Sequence, residues 1–233
     1  MALPKINLPI SELVLPSSGK KIKYRPFSVA EEKVLLVAGE TGDPVQEMVA
    51  MKQICNNCLI ETDVETLAMF DFEYLFLKLR SRSVDNVSKF VVNDPDTKLP
   101  VQLEVDIDDI NYIFDEGHTK EIDINDEYRL FLKYPGIDDF IAIIDKDPED
   151  PLTNYYIMTK CLDKLASEDE VHEFSEYSDE EIDEFLDGIS SEILKKIGNF
   201  FDTMPKLKHS IEYENSEGKK VTFNIEGTRS FFT

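Results

Sequence analysis

Three cysteines among 233 residues are too few, and odd in number, to build a disulfide framework, which fits a reducing compartment. Cys55 and Cys58 form a CxxC inside "EMVAMKQICNNCLI", but no second pair completes a zinc site and no redox motif surrounds them. They read as two small residues three apart on one buried helical face. No apolar run approaches bilayer length, and "MALPKINLPISELVL" lacks the charged, apolar and small-residue order of a signal peptide. The expectation is a chain made and kept in a cytoplasm, with no membrane partner.

Chemical motifs are equally scarce. With nine glycines there is no P-loop, GxGxxG, GxSxG or HExxH. His118, His172 and His209 stand singly beside charged or polar residues, as surface or strand-face histidines do. "DKDPEDPLTNYY" begins like an EF-hand with Asp145, Asp147 and Glu149, yet Asp150 replaces the required glycine and Tyr156 the required glutamate. "DIDDI" (106–110) and "SDEEIDE" (178–184) are better explained by turns, caps and an exposed helical face. No catalytic residue, metal or cofactor is expected.

What the chain does have is acid, concentrated in one segment. Residues 1–93 hold 11 basic and 12 acidic groups, residues 94–137 hold 4 and 12, residues 138–192 hold 3 and 19, and residues 193–233 hold 7 and 5, for a net charge of -23. Such a field repels nucleic acid and anionic membranes and favours basic partner surfaces. Basic groups do cluster at Lys20, Lys21, Lys23 and Arg25, at Arg80 and Arg82, and at Lys206, Lys208, Lys219 and Lys220. Phosphate contact would have to be local and salt-sensitive, so protein partners are the more economical reading.

A hydrophobic content of 42% with 15 Phe and 9 Tyr predicts a folded core, and the pattern predicts an α+β fold. "SELVLPSSGKKIKYRPF" reads as two short strands around a turn. Ser28 with Glu31 is a capping box before "KVLLVAG", and Asp43-Pro44 opens a second helix to about residue 60. Asp71 reads as the cap of "FEYLFLKLRSRS", whose Phe72, Leu75, Phe76 and Leu79 form a stripe. In "VSKFVVNDPDTKLPVQLEVDI", Leu99, Val101, Leu103 and Val105 alternate with polar residues and Pro100, a half-buried strand at an edge.

"NYIF", "TKEIDI" and "EYRLFLKYPG" then predict a small antiparallel sheet, and from residue 137 the pattern turns helical. Asp150-Pro151 opens "LTNYYIMTKCLDKLASED", Ser178 caps "EIDEFLDGI", and "SSEILKKIGNFFDTMP" is stopped by Pro205. A second hairpin follows in "LKHSIEYENSEGKKVTFNIEG". Helix plus hairpin thus occurs at about 71–106 and 191–226. The expectation is one α+β chain, 1–233, with sub-regions 1–136 and 137–233.

"GKKIKYRPFSVAEEKVLLVA", "FDFEYLFLKLRSRSV", "FLKYPG" and "FFDTMPKLKHSIEY", in that order, resemble the T4-type bacteriophage baseplate hub subunit family from about residue 13 to the terminal "GTRSFF". The resemblance implies a non-enzymatic hub component or hub and tail assembly factor of a contractile tail. It would be located in the virion baseplate, assembled in the host cytoplasm, and bound to other hub, tail-tube or tape-measure proteins. Some family members carry cysteine pairs at the two hairpin tips, like zinc knuckles. Here the tips read Asn93-Asp94-Pro95-Asp96 and Asn215-Ser216-Glu217-Gly218, so no metal is expected there. These tips would be held by turn hydrogen bonds and by packing on the preceding helix.

Lys206, Lys208, Tyr213, Phe231 and Phe232 form the candidate interface. The same residues also read as strand-solvating lysines and core-capping phenylalanines, and both readings stay open. Two other functions compete with the first: an assembly chaperone for an aggregation-prone tail protein, absent from the mature virion, and a metal-dependent hydrolase using the acidic clusters.

Overall fold

The computed structural model describes residues 7–147 and 150–226. The chain divides into two compact units, unit 1 from the described parts of Met1–Ile113 and Pro205–Thr233, and unit 2 from those of Phe114–Met204. Unit 1 contains 17 basic and 22 acidic residues, net -5, and unit 2 contains 8 and 26, net -18.

Unit 1 opens with β1 (Ser11–Val14) and β2 (Lys21–Tyr24), which pair antiparallel, and Gly19 at φ 67 makes the turn between them. Next comes α1 (Val29–Thr41), two residues longer than its apolar pattern, because Gly42 at φ 63 supplies the left-handed C-terminal cap. α2 (Pro44–Cys58) starts where Asp43 accepts hydrogen bonds from the Val45 and Gln46 amides, with proline in the first turn. β3 (Leu59–Ile60) completes a sheet of order β1-β2-β3.

α3 (Met69–Ser83) begins earlier than the sequence suggests, capped at Ala68, so Asp71 lies in its first turn. Asp71 is buried and accepts from the Ser17 amide at 2.9 Å and from the Ser17 hydroxyl, tying the β1–β2 turn to α3. Phe72, Leu75, Phe76, Leu77 and Leu79 are all buried, and Arg80 and Arg82 occupy the last turn. β4 (Val87–Asn93) and β5 (Pro100–Asp106) form the first hairpin, with Pro100 at the first residue of a strand that has an open edge.

β6 (Asn111–Ile113) does not join the strands that follow it in sequence. It pairs with β11 (Lys206–Glu214), Leu207 opposite Tyr112, and β11 pairs with β12 (Lys220–Glu226). The chain therefore leaves unit 1 at Ile113 and re-enters it on the neighbouring strand, so unit 2 is an insertion between two paired strands.

Unit 2 is a sheet of order β10-β9-β8-β7, made from β7 (Glu121–Asp123), β8 (Arg129–Leu132), β9 (Leu162–Ala166) and β10 (Val171–Glu173). Its helices are α4 (Ile137–Ile141), α5 (Pro151–Lys160), α6 (Asp179–Gly188) and α7 (Ser191–Thr203). The run after Asp150 corrects the sequence expectation. α5 ends at Lys160, and "LDKLA" becomes β9 because pairing with β8 buries Leu162 between strands. β7 pairs with β8, β8 with β9 and β9 with β10, and the compact units divide at 113/114 and 204/205. Ile122, Leu130, Leu132, Cys161, Leu162, Phe174, Leu186, Ile193, Ile197 and Phe200 form this core.

Candidate interaction surfaces

The helix-then-hairpin order recurs as the sequence suggests, but the two copies pack differently. The first hairpin lies on its preceding helix, with Phe90, Leu103 and Val105 sharing a cluster with Leu77 of α3. The helix before the second hairpin, α7, places its Ile193, Ile197 and Phe200 in the core of unit 2. The second hairpin's Leu207 and Ile225, with Ile211, Tyr213 and Phe223, join the cluster of α3 and the first hairpin instead. The Phe90 and Phe223 rings lie 6.2 Å apart across it. The reason is register: on β11 Leu207, Ile211 and Tyr213 alternate onto the face of this cluster, where α3, the first hairpin, Ile107, Ile110 and Tyr112 present apolar partners.

Both tips are closed by turn hydrogen bonds, as expected, each organised by one buried side chain. Asp94 Oδ1 accepts from the Thr97 amide at 2.7 Å, the Asp96 amide at 3.0 Å and the Thr97 hydroxyl at 3.0 Å. Asn215 Oδ1 accepts from the Glu217 and Lys219 amides, each at 3.0 Å, and Gly218 at φ 75 completes the turn. The tips are joined to each other. The Tyr213 hydroxyl donates to Asp94 Oδ2 at 2.8 Å, and Lys219 Nζ meets Asp96 Oδ2 at 2.6 Å. The Thr97 amide, with help from Tyr213, holds the Asp94 carboxyl down to about 2, and burial and that carboxylate push the Tyr213 phenol up to about 12.

The predicted interface residues are thus separated by the pleat. Lys206 and Lys208 share the outer face of the three-stranded sheet, whereas Tyr213 is turned inward with its hydroxyl engaged at the tip. Phe231 and Phe232 lie outside the described residues. Around Lys206 and Lys208 the outer face carries exposed Asn111, Ser210, Glu212, Lys220, Thr222 and Asn224, with exposed Ile113 opposite Lys206, a mostly polar surface of mixed sign.

Among the described residues, no group of three or more His, Cys, Asp or Glu is placed to hold a metal ion. The "DIDDI" carboxylates serve as turn and ion-pair partners, with Asp106 accepting from the Asp108 amide at 2.8 Å and Asp108 meeting Lys78 at 3.1 Å. A shallow cleft in unit 2 is lined by Asp123, Asp126, Glu127, Tyr128, Arg129 and Glu168. Arg129 already pairs there with Asp123 at 2.6 Å and Glu121 at 3.1 Å.

His118 is less peripheral than its sequence neighbours suggest. Its ring stacks on Phe200 at 5.3 Å and Tyr134 at 5.6 Å, with Nδ1 at 2.9 Å from the Thr203 hydroxyl and Nε2 at 2.8 Å from the Tyr134 hydroxyl. Burial pulls its pKa below the ordinary histidine value. No local motif signals this, since the partners come from β8's end and α7. The cysteines behave as read: Cys55 and Cys58 are buried on α2, and burial raises both thiols. No helix among the described residues is long and apolar enough to cross a membrane.

A family model described as T4 bacteriophage base plate protein matches residues 8–233. No curated protein and no solved structure matches the chain.

Proposed function

We propose, given that the chain belongs to the T4 bacteriophage base plate protein family, that it is a component of the baseplate hub which acts by binding other hub, tail-tube or tape-measure proteins and catalyses no reaction. The observation that carries this reading is the extent of the family match, 8–233, which takes in both compact units and the hairpin pair. Within unit 1, the outer face of the β6–β11–β12 sheet with Lys206 and Lys208 is the docking surface we assign to a partner, and the tip contacts between Asp94 and Tyr213 hold that sheet against the first hairpin.

Co-expression with the hub, tail-tube and tape-measure proteins of the same virus, followed by affinity capture, tests the reading. A stable complex weakened by the double change K206E/K208E is expected. Capture that is indifferent to both lysines removes the assigned surface. Quantifying the chain in purified virions decides between component and assembly factor: a fixed copy number is expected, and absence from virions would replace the hub component with a chaperone.

A further inference from the structure

α1 is the least buried long element of unit 1. Of its 13 residues only Ala38 is buried, while Val29 is 67% exposed, Leu36 63% and Val37 64%. The inner side is fixed by Ala38 and by Glu31, whose carboxylate takes both Arg25 guanidinium nitrogens at 2.7 and 3.0 Å. At 100° per residue, Val29, Lys33, Leu36 and Glu40 lie on the opposite side and Val37 lies at its edge, and all five are exposed. Lys33 and Glu40 are the charges on that side, and neither has an ion-pair partner among the described residues. An apolar helical face that a monomer leaves in water marks an interaction site.

We infer that this face binds a second copy of the chain, the two α1 helices packing antiparallel about a two-fold axis that passes between Leu36 and Val37. The charge positions select this occupant. Lys33 and Glu40 are equidistant from that axis, so in the pair Lys33 lies opposite the partner subunit's Glu40, and Glu40 opposite the partner subunit's Lys33. Leu36 and Val37 meet their counterparts in the middle. Parallel pairing would place Lys33 against the partner subunit's Lys33, and a shift by one helical turn would lose both attractions.

α1 belongs to the unit whose net charge is only -5, and at physiological salt exposed charges more than about 8 Å apart are largely screened. A single helical face is smaller than the roughly 800 Å² per partner of a standard stable interface, so the dimer is expected to be weak and concentration-dependent. This inference is independent of the hub assignment, since it concerns only the chain's association with itself.

Sedimentation velocity on the full chain from about 1 to about 200 μM tests it, with circular dichroism confirming that each variant is folded. A reversible monomer–dimer equilibrium is expected. K33E and E40K, each turning two attractions into two repulsions, should weaken it about tenfold. The double variant K33E/E40K should return it to within about threefold of the natural chain, and Leu36→Asp should leave a monomer. A chain that is monomeric throughout, or a dimer in which the double charge swap is no tighter than either single reversal, overturns the proposal.

Discussion

Unit 1 and unit 2 bury cores of the same aliphatic and aromatic kind but place their charged residues differently. In unit 1 the carboxylates are structural parts. Glu31 fastens Arg25 and the α1 cap, Asp71 anchors the β1–β2 turn, and Asp94 holds one hairpin tip to the other. In unit 2 most of the acid is solvated. Arg129 and its partners Glu121 and Asp123 are each at least half exposed, and the acidic first turn of α6 faces water. A net charge of -18 therefore says little about how unit 2 is built, and the -5 of unit 1 hides charges on which its shape depends.

The largest effects should not distinguish charges at all. Leu77→Ala and Leu130→Ala each remove a fully buried side chain, from the twin-hairpin cluster and from the unit 2 sheet respectively, and each should cost about 2–5 kcal/mol. Hydrogen exchange should accelerate mainly in the unit that contains the change. Equal acceleration across both units for either variant would break the comparison, because the two cores would then unfold as one.

A sharper contrast comes from two arginines. Arg25 donates to Glu31 through two nitrogens and also to the Pro26 and Asn57 carbonyls, so Arg25→Ala strands several acceptors and should cost about 1–3 kcal/mol. Arg129→Ala removes two exposed ion pairs and should leave the melting temperature unchanged within error. If the Arg129 change proves the more damaging, the acidic surface of unit 2 is structural after all.

The features legible in the sequence were those set within a few residues. Ser28, Asp43-Pro44, Asp150-Pro151 and Ser178 each begin a helix where their local chemistry places it, and α7 ends just before Pro205. The alternation of Val101, Leu103 and Val105 gave the right strand and the right face. What escaped was partnership across long separations. Nothing local to "NYI" reveals that its neighbour is β11, 93 residues away at the Ile113–Lys206 pairing. The apolar residues of "LDKLA" satisfy a helix or a strand equally until β8 is beside them. Tyr213 illustrates the same limit at the candidate surface: its alternation was visible, but the direction of its face was fixed by the first hairpin.

Acid titration should produce the smallest and most discriminating effects, because the two units respond in different windows. In unit 1, Arg25 holds Glu31 down to about 2 and the Thr97 amide holds Asp94 down to about 2, against ordinary values of 4.5 and 3.8. Their contribution is complete above those ordinary values and is lost as pH falls from there toward about 2. Asp71, raised by burial, acts with the opposite sign and offsets part of the loss. In unit 2, His118 is lowered from 6.5 by burial, with Asp115 opposing and Lys120 reinforcing the shift. Below 6.5 the unfolded chain takes up a proton first, so stability declines until the folded imidazole is also protonated. Exchange protection should therefore begin to fall in unit 2 as pH drops below about 6.5 while unit 1 remains unchanged, and His118→Gln should flatten that decline without altering the acid limb below about 3.8 that Asp94→Asn reduces. A decline that begins in unit 1, or one that survives His118→Gln, would assign the first acid-sensitive contact to a different group.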